Sequence, residues 1–259
     1  MSRSHLKLAS WNVNGVRSIA KKGFFEWLNI EKPDIVGLQE TKIGSDQLTA
    51  EVMAPQGYLS HWSHAERKGY SGVAIYSREK PLSVQEGMGI PQFDREGRVL
   101  AADYGAFLLL NIYYPNGKAS EERLRYKLEF YEAFLKYANR LRAQGKRLVI
   151  CGDFNTAHKP IDLARPKENE NVSGFLPVER AWMDRFVDCG YIDTFRLFNS
   201  KPHNYTWWHQ VTRARERNVG WRIDYVFTSV DLASKLSGAT IQANVLGSDH
   251  CPVCLELSV

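Results

Sequence analysis

Three apolar runs of this chain end in polar residues, and a fourth polar cluster precedes the last apolar run. These clusters contain Asn12 and Asn14, Glu40, Asp153 and Asn155, and Asp249 and His250. Side chains two positions apart on an extended segment share a face, so Asn12 with Asn14, and Asp153 with Asn155, can each point the same way. Strand ends that meet at one rim of two packed sheets would gather all four clusters into one site.

The residue types in these clusters indicate metal-assisted phosphodiester hydrolysis. Carboxylates such as Glu40 are hard oxygen ligands suited to Mg²⁺ or Mn²⁺. Asparagine side chains can hydrogen-bond a water or a phosphate oxygen without adding charge. His250 can contact a phosphate or move a proton near neutral pH, and Asp224 is a candidate to hold its imidazole in one tautomer. Each residue alone has an ordinary structural role, so the interpretation depends on their combination.

The composition is that of a globular protein with a mildly basic balance. Of the 259 residues, 44% are hydrophobic and 24% are charged, and the formal net charge is +5. This charge favours an anionic partner such as nucleic acid without establishing one. The sequence has no apolar run long enough for a membrane span and no apolar leader at its start. We therefore expect no membrane partner and a cytoplasmic location, associated with the nucleoid through DNA in a prokaryote.

Four cysteines raise the question of a metal or redox site. Cys251 and Cys254 form a C-x-x-C motif, whereas Cys151 and Cys189 stand apart. A zinc site needs a second pair of ligands, and none is evident in the sequence. Core packing in a terminal strand is therefore favoured over zinc or redox chemistry.

Hydrophobic patterning predicts an alternation of strands and helices in one domain, residues 1–259. The predicted strands lie at 7–13, 34–39, 58–63, 72–77, 99–104, 107–113, 147–152, 206–209, 223–228, 239–245 and 252–259. The predicted helices lie at 20–30, 121–143 and 178–189, the second with Ser120 as its N-cap and the third preceded by Pro177. This order suggests two sheets packed together and flanked by helices.

Seven short motifs make the chain similar to a known family. They are SWNVNG (10–15), LQETK (38–42), GYSGV (69–73), YYPN (113–116), CGDFNTAH (151–158), NVGWRIDY (218–225) and GSDHCP (247–252). In this order they closely resemble the exonuclease III family of AP endonucleases, within the endonuclease–exonuclease–phosphatase superfamily. The resemblance runs from residue 8 to residue 257.

The resemblance implies an α/β fold and assigns roles to the clustered residues. The expected fold is a four-layer sandwich of two mostly antiparallel sheets flanked by helices, with the site at one rim. Glu40 matches the main metal ligand, assisted by Asn14 and Asp249. Asp153 matches the residue that activates water. His250, paired with Asp224, matches the contact to the scissile phosphate. Which of the two, Asp153 or His250, is the general base is left open by the resemblance. The groups that position water, phosphate and leaving oxygen are Asn12, Asn155 and Tyr113.

The implied activity is Mg²⁺-dependent incision of duplex DNA on the 5′ side of an abasic site, with Mn²⁺ as a substitute. The family leaves a 3′-hydroxyl, trims blocked 3′ ends and, to a varying degree, degrades duplexes 3′ to 5′. The expected partner is duplex DNA with abasic sites or blocked 3′ ends, and the expected state is a monomer.

An arginine-rich stretch follows an aromatic run and is a candidate DNA-binding surface. Arg213, Arg215, Arg217 and Arg222 stand against Glu216, a net charge of +3. Composition alone leaves open a phosphate-binding surface or a solvated loop beside core tryptophans. The resemblance places Trp207, Trp221 and Ile223 in the pocket for an extruded abasic sugar. It adds Tyr70, Lys68, Asn116 and Asn169 as DNA contacts.

Two departures from the family pattern leave the balance between endonuclease and exonuclease open. Val172 stands where some relatives carry an asparagine, and the turn 117–119 lacks their arginine. Two alternatives also remain: another phosphodiesterase of the superfamily, such as a general deoxyribonuclease or a phospholipid or inositol phosphatase, and a catalytically inactive DNA-binding module. The intact acid and histidine set argues against the second.

Overall fold

Two six-stranded sheets form the centre of the computed structural model, which describes residues 5–258. The first sheet contains, in spatial order, β13 (Leu236–Ile241), β14 (Val253–Leu257), β1 (Leu6–Asn12), β2 (Ile35–Gln39), β4 (Val73–Ser77) and β3 (Leu59–Ser63). The second contains β5 (Ser83–Glu86), β6 (Val99–Asp103), β7 (Leu108–Tyr113), β8 (Leu148–Asp153), β12 (Asp224–Ser229) and β9 (Tyr191–Asp193). Only the central pairs, β1 with β2 and β7 with β8, are parallel, and the neighbouring pairs are antiparallel.

The helices cover the outer faces of the two sheets. They are α1 (Val16–Ala20), α2 (Phe24–Glu31), α3 (Ala50–Met53), α4 (Pro91–Asp94), α5 (Glu121–Ala143), α6 (Pro177–Asp188) and α7 (Thr194–Phe198). One apolar core lies between the sheets, a second joins β1 and β2 to α1 and α2, and a third joins β7 and β8 to α5 and α6. Three cores separate four layers, so the predicted sandwich is confirmed. The shared core between the sheets also supports the single domain, which stays a prediction.

A buried polar joint crosses the otherwise apolar core between the sheets. The Gln39 side chain at the end of β2 donates a hydrogen bond of 2.6 Å to Asn111 Oδ1 on β7. Asn111 Nδ2 donates in turn to the Leu38 and Ala74 carbonyls, at 3.0 and 2.8 Å. Buried polar groups are stable only when paired, so this joint favours one alignment of the two sheets.

The two long helices and most strands lie where the sequence predicts them. α5 spans the predicted residues, and the Ser120 hydroxyl accepts a hydrogen bond of 3.2 Å from the Arg123 amide as its N-cap. α6 begins at Pro177, whose ring tolerates the first turn because its missing N–H would be unpaired there.

Several boundaries were predicted wrongly. The helix predicted at 20–30 corresponds to α2, which begins only at Phe24, because Gly23 adopts a left-handed φ of 95° after α1 has ended at Ala20. The strand predicted at 239–245 is β13, which ends at Ile241, and the Val245 amide closes a turn on Gln242. The strand predicted at 206–209 is only β10 (Trp207–Trp208), which pairs with β11 (Gly220–Trp221), and Trp207 also forms an isolated bridge with His250. Strands β5, β9 and β11 and four short helices (α1, α3, α4 and α7) were not predicted.

The longest helix, α5, is amphipathic and charged, which suits the surface of a sandwich. Within residues 5–258, no helix combines the length and the apolar character needed to cross a lipid bilayer.

Candidate active site

The ends of four central strands meet at one rim of the sandwich and carry the predicted catalytic residues. Asn12 ends β1, Glu40 follows β2, Asp153 ends β8 and Asp224 begins β12. The Asn12 amide nitrogen donates to Glu40 Oε1 at 2.8 Å and to Asp153 Oδ2 at 2.9 Å. One neutral side chain of the first sheet therefore bridges carboxylates from both sheets and reduces their repulsion.

Left-handed backbone turns aim three of these side chains into the rim. Asn14, Glu40 and Asn155 have φ angles of 46°, 51° and 50°. Asparagine tolerates this conformation, whereas for glutamate it costs on the order of 1 kcal/mol. The surrounding hydrogen bonds hold these turns: the Asn14 amide donates to Asn12 Oδ1 and the Asn155 amide to Asp153 Oδ1. Backbone strain of this kind clusters at active sites, so its presence at these strand ends supports a functional role for the rim.

His250 is buried, and Asp224 fixes the orientation of its imidazole. Its Nδ1 lies 2.9 Å from Asp224 Oδ2, and the Thr206 hydroxyl donates to the same oxygen at 2.6 Å. Its Nε2 faces Asp153 Oδ2 at 3.9 Å. Burial alone would lower the pKa of His250, but the charge and hydrogen bond of Asp224 and the charge of Asp153 outweigh it and raise the pKa to about 10. The imidazole is therefore held as a cation at neutral pH.

The pKa of Asp153 is also raised, which in a carboxyl group favours the neutral form. Burial and the nearby Asp224 raise the pKa of Asp153 to about 7, although His250 opposes this shift. The side-chain Nδ2 of Asn155 also donates a hydrogen bond of 3.3 Å to Asp153 Oδ2. A carboxylate whose pKa lies near neutrality is suited to accept a proton from water.

The acidic part of the rim fits a divalent metal. Ligand atoms of Glu40, Asp153 and His250 lie within 4.8 Å of one another. Lys42 Nζ lies 2.7 Å from Glu40 Oε2 and donates at 2.5 Å to Asn14 Oδ1. Burial would raise the pKa of Glu40, but the Lys42 ammonium and the Asn12 amide outweigh it and lower the pKa. An ionised, oxygen-rich cluster that already attracts a cation suits Mg²⁺.

The other two predicted metal ligands lie beside this cluster. Asn14 Nδ2 donates at 3.0 Å to Asp249 Oδ1, and the Trp207 indole donates at 3.0 Å to Asp249 Oδ2. Burial would raise the pKa of Asp249, but His250 and these hydrogen bonds lower it. Asp249 is therefore an ionised carboxylate that lines the same cavity as Glu40, and its role as a metal ligand stays a prediction. Lys42 was not predicted as a site residue, because left-handed backbone at Glu40 and Lys42, beyond the end of β2, brings the two side chains together.

A cavity of about 200 Å³ joins the catalytic residues to the predicted sugar pocket. Trp207, Trp221 and Ile223 line it together with Asp153 and His250. The remaining lining residues are Glu40, Tyr113, Asn116, Lys118, Asn155, Gly174 and Asp249. Lys118 and Gly174 were not predicted. Gly174 has a φ of 101°, and a Cβ there would lie 3.2 Å from the Trp221 ring.

Tyr113 and the asparagines complete the cavity wall. The Arg98 guanidinium lies 4.7 Å from the Tyr113 ring centroid and donates to the Tyr113 carbonyl at 3.0 Å. Burial and the charge of Glu40 raise the pKa of Tyr113 well above its usual value, so its hydroxyl stays a donor. Asn116 Nδ2 donates at 3.0 Å to Asn155 Oδ1, which fixes the Asn155 side chain.

The four arginines predicted to bind DNA differ in their surroundings. Arg222 is buried and pairs with Asp162 at 2.8 Å and Asp193 at 2.7 Å, so its inclusion in the exposed basic surface was wrong. Arg215 donates to the Ser248, Ala243 and Val245 carbonyls and lies 4.5 Å from the Trp208 ring centroid.

The remaining two arginines and the other predicted DNA contacts lie nearer the surface. Arg213 pairs with Glu216, and Arg217 donates to the Thr212 carbonyl; both arginines are exposed. Lys68 is exposed and lies 3.6 Å from Asp46, and Asn169 donates to the Arg165 carbonyl. Tyr70 lines a larger groove of about 670 Å³ that shares Tyr113, Asn116 and Lys118 with the cavity. Their DNA contacts stay predictions.

The C-x-x-C motif lies in the core. Cys251 and Cys254 are buried, and burial raises the pKa of both thiols. Cys251 packs with Tyr205 and Trp208 in a small core beneath the rim. These surroundings support the packing role that the sequence favoured.

The sequence pattern of the Endonuclease/Exonuclease/phosphatase family matches residues 9–250. The chain belongs to this family. It is 41% identical over 256 residues to an exodeoxyribonuclease of Bacillus subtilis, which covers 98% of this chain and 100% of that protein. It is 38% identical over 257 residues to a DNA-(apurinic or apyrimidinic site) endonuclease of Dictyostelium discoideum, covering 98% of this chain and 71% of that protein.

A solved structure of an AP endonuclease from Archaeoglobus fulgidus has the same fold. Its TM-score is 0.89 at 30% identity, and the match covers 98% of this chain and 100% of that one. The family predicted from the seven motifs is therefore confirmed, and the four-layer architecture is shared by a nuclease of the same branch.

Proposed function

We propose that this member of the Endonuclease/Exonuclease/phosphatase family is a DNA-repair AP endonuclease that hydrolyses the phosphodiester 5′ to an abasic site and leaves a 3′-hydroxyl. The observation that carries the proposal is the single cavity in which Asp153 and His250 face Trp207, Trp221 and Ile223. Relatives named exodeoxyribonuclease and AP endonuclease support it. The expected monomeric state and cytoplasmic location stay predictions.

The perturbed pKa values assign different tasks to the two central groups. His250 is held protonated by Asp224, so it can donate a hydrogen bond to a phosphate oxygen but has no free site for a proton. The pKa of Asp153 is about 7, so Asp153 is a better acceptor than His250 for a proton from the attacking water. Our proposal therefore assigns the role of general base to Asp153. The Tyr113 hydroxyl, held protonated, would stabilise the leaving oxygen.

The metal in this proposal is Mg²⁺, with Mn²⁺ as a substitute. Glu40 would hold it, with Asn14 and Asp249 in reach, and Lys42 would withdraw from Glu40. When bound, the ion supplies positive charge next to the phosphate. The residues of the chain then orient the water and hold the phosphate in place.

The cavity also accounts for lesion choice in this proposal. A volume of about 200 Å³ shared with the catalytic groups leaves little room for a base. Extruding a nucleotide costs a few kcal/mol, and least where no base is stacked or paired. An abasic deoxyribose therefore enters more easily and fits better than an intact nucleotide.

A duplex carrying one tetrahydrofuran abasic analogue tests the proposed function. We expect incision 5′ to the analogue with Mg²⁺, none with EDTA, and much slower cutting of the matched intact duplex. Glu40→Gln should lose most activity at low Mg²⁺ and recover part of it at high Mg²⁺ or Mn²⁺. Equal cutting of both duplexes would point to a general deoxyribonuclease, and full Glu40→Gln activity at low metal would remove Glu40 from the metal site.

A further inference from the structure

Lys118 places a primary amine at the mouth of the catalytic cavity. Its Nζ lies 5.0 Å from the Trp221 ring centroid and 5.3 Å from that of Trp207. The lysine is exposed to solvent on one side and lines the same cavity as Asp153 on the other. Among residues 5–258, no carboxylate forms a salt bridge with this ammonium, in contrast to Lys42 on Glu40 and the buried Lys127 on Glu179.

The surroundings of Lys118 favour a reactive amine over a purely structural cation. Protein atoms around the ammonium partly desolvate it and lower its pKa, although the charge of Glu179 opposes the shift. A lysine is a nucleophile only as the neutral amine, and an apolar environment raises that fraction. The two indole walls hold the amine at the entrance through which a sugar would pass.

An abasic deoxyribose offers a partner for such an amine. Without its base the sugar opens to an aldehyde at C1′, the carbon that in an intact nucleotide carries the base. The proposed function puts the abasic sugar in the cavity that Trp207 and Trp221 line, and the Lys118 amine lies over both indole rings. Primary amines condense with carbonyl groups to form Schiff bases.

We propose that Lys118 forms a Schiff base with the abasic sugar and gives the protein a second activity, cleavage on the 3′ side of the lesion by β-elimination. The proposal rests on the proposed function, because it needs the abasic sugar in this cavity.

The reaction is balanced without any further reactant. The neutral Nζ adds to C1′, loss of water gives an imine, and the imine nitrogen takes up one proton from solvent. A carboxylate lining the cavity then removes a proton from C2′, the C3′–O bond breaks, and the phosphate on the 3′ side leaves with the electron pair. Water finally adds to the imine, which releases the lysine and leaves an unsaturated aldehyde on the 3′ end of the cut strand.

Borohydride trapping tests this proposal without the metal-dependent reaction. The full-length protein is incubated in EDTA with a duplex whose single abasic site comes from a removed uracil, and borohydride reduces any imine to a stable secondary amine. We expect a covalent protein–DNA adduct, and peptide mapping should place it on Lys118. No adduct with the natural abasic site, or an adduct mapped to another lysine, would overturn the proposal.

Lys118→Arg is the matched variant, because arginine keeps the charge and the contact with the indoles but forms no Schiff base under these conditions. Its trapped fraction, normalised to its own incision of the tetrahydrofuran duplex in Mg²⁺, should fall to background. Lys146→Arg, at an exposed lysine paired with Asp103, should trap as the unchanged protein does. A Lys118→Arg protein that traps normally would contradict the proposal.

The two proposals fail in different ways. The tetrahydrofuran analogue has no carbonyl at C1′ and cannot be trapped, so its Mg²⁺-dependent incision reports on the hydrolytic function alone. Incision of the analogue without trapping of the natural site would reject only the Schiff base. Trapping on Lys118 without incision of the analogue would reject the hydrolytic function and retain the lyase.

Discussion

The catalytic rim and the basic segment, residues 209–217, use polar residues in different ways. At the rim, Asn12, Asp224 and His250 are buried and each has a hydrogen-bonded partner fixed by a strand end. In the basic segment, Arg213 and Arg217 are exposed on irregular backbone and a short 3-10 turn. The rim fixes geometry before substrate arrives, whereas Arg213 and Arg217 supply charge at the exposed surface. Chemistry should therefore depend steeply on rim residues and only gradually on the segment.

The largest effect should come from the pair that faces the scissile bond. Asp153→Asn and His250→Asn should each reduce kcat/KM by ~10⁴-fold or more, on the scale of catalytic groups that act as a unit. Because they serve one step, the double variant should lose little beyond the worse single variant. Rates on the abasic duplex measure this, with the exposed Asp231→Asn as control. Losses that multiply would show that the two groups act independently.

A smaller effect should follow from Asp224→Asn, which leaves the imidazole in place but removes its charge partner. Asp224 is the main cause that raises the pKa of His250 to about 10, so the variant's pKa should fall toward the ordinary value of about 6.5. Activity that needs the protonated imidazole is present below the His250 pKa and is lost above it. The alkaline limb of the kcat/KM profile should therefore move to lower pH by more than one unit. An unmoved alkaline limb would assign that limb to another group.

The same shift affects stability. A histidine whose folded pKa is raised stabilises the fold fully below the unfolded pKa of about 6.5, and this contribution is lost as pH rises toward 10. The difference in melting temperature between the unchanged protein and Asp224→Asn should therefore shrink as pH rises through this range.

Selectivity should change with Trp221, which belongs to the cavity wall between the two regions. Trp221→Ala should open the wall, slow incision of abasic DNA, and leave cutting of intact duplex less affected. We expect the ratio of the two rates to fall by about 10- to 200-fold, the range in which hydrophobic pockets discriminate by size. Both rates are measured at one salt concentration. A ratio equal to that of the unchanged protein would show that Trp221 is a core residue and the pocket lies elsewhere.

The smallest effects should separate the arginines of the basic segment. Arg213→Ala should weaken binding to abasic and intact duplex about equally and reduce the slope of log affinity against log salt by about 1. Arg215→Ala leaves three carbonyl groups without their donor and should cost about 1–3 kcal/mol in free energy of unfolding. Melting curves and salt titrations of both variants measure this. If Arg215→Ala reduced the slope of log affinity against log salt as much as Arg213→Ala does, with no loss in free energy of unfolding, the result would support the predicted contact between Arg215 and phosphate.

The sequence predicted well wherever local patterns determine structure. The amphipathic period and Ser120 N-cap define α5, and apolar runs that end in polar residues define the rim. β9 has only three residues, and its strand conformation depends on pairing with β12, which lies more than thirty positions later. No local pattern marks such a strand.

The local sequence does not determine whether a charged residue is exposed or paired in the core. Arg222 and Arg213 belong to one arginine-rich stretch, yet Arg222 is buried because Asp162 and Asp193, distant in sequence, surround it. Lys118 and Gly174 reach the cavity from loops whose course depends on packing across the rim. Residue type predicted the chemistry of the site, and only tertiary structure could determine which charges remain free.

The buried joint between Gln39 and Asn111 has a consequence for how the protein becomes active during folding. The rim takes Asn12 and Glu40 from one sheet and Asp153 and Asp224 from the other. Neither sheet alone therefore contains the complete set of catalytic residues. A misaligned docking would leave the amides of the joint unpaired in an apolar core, at about 1–3 kcal/mol for each group. Secondary structure can therefore form in both sheets before any catalysis is possible. Recovery of nuclease activity after dilution from denaturant thus reports the moment when the sheets close in register, a step that circular dichroism of the individual strands and helices would not detect.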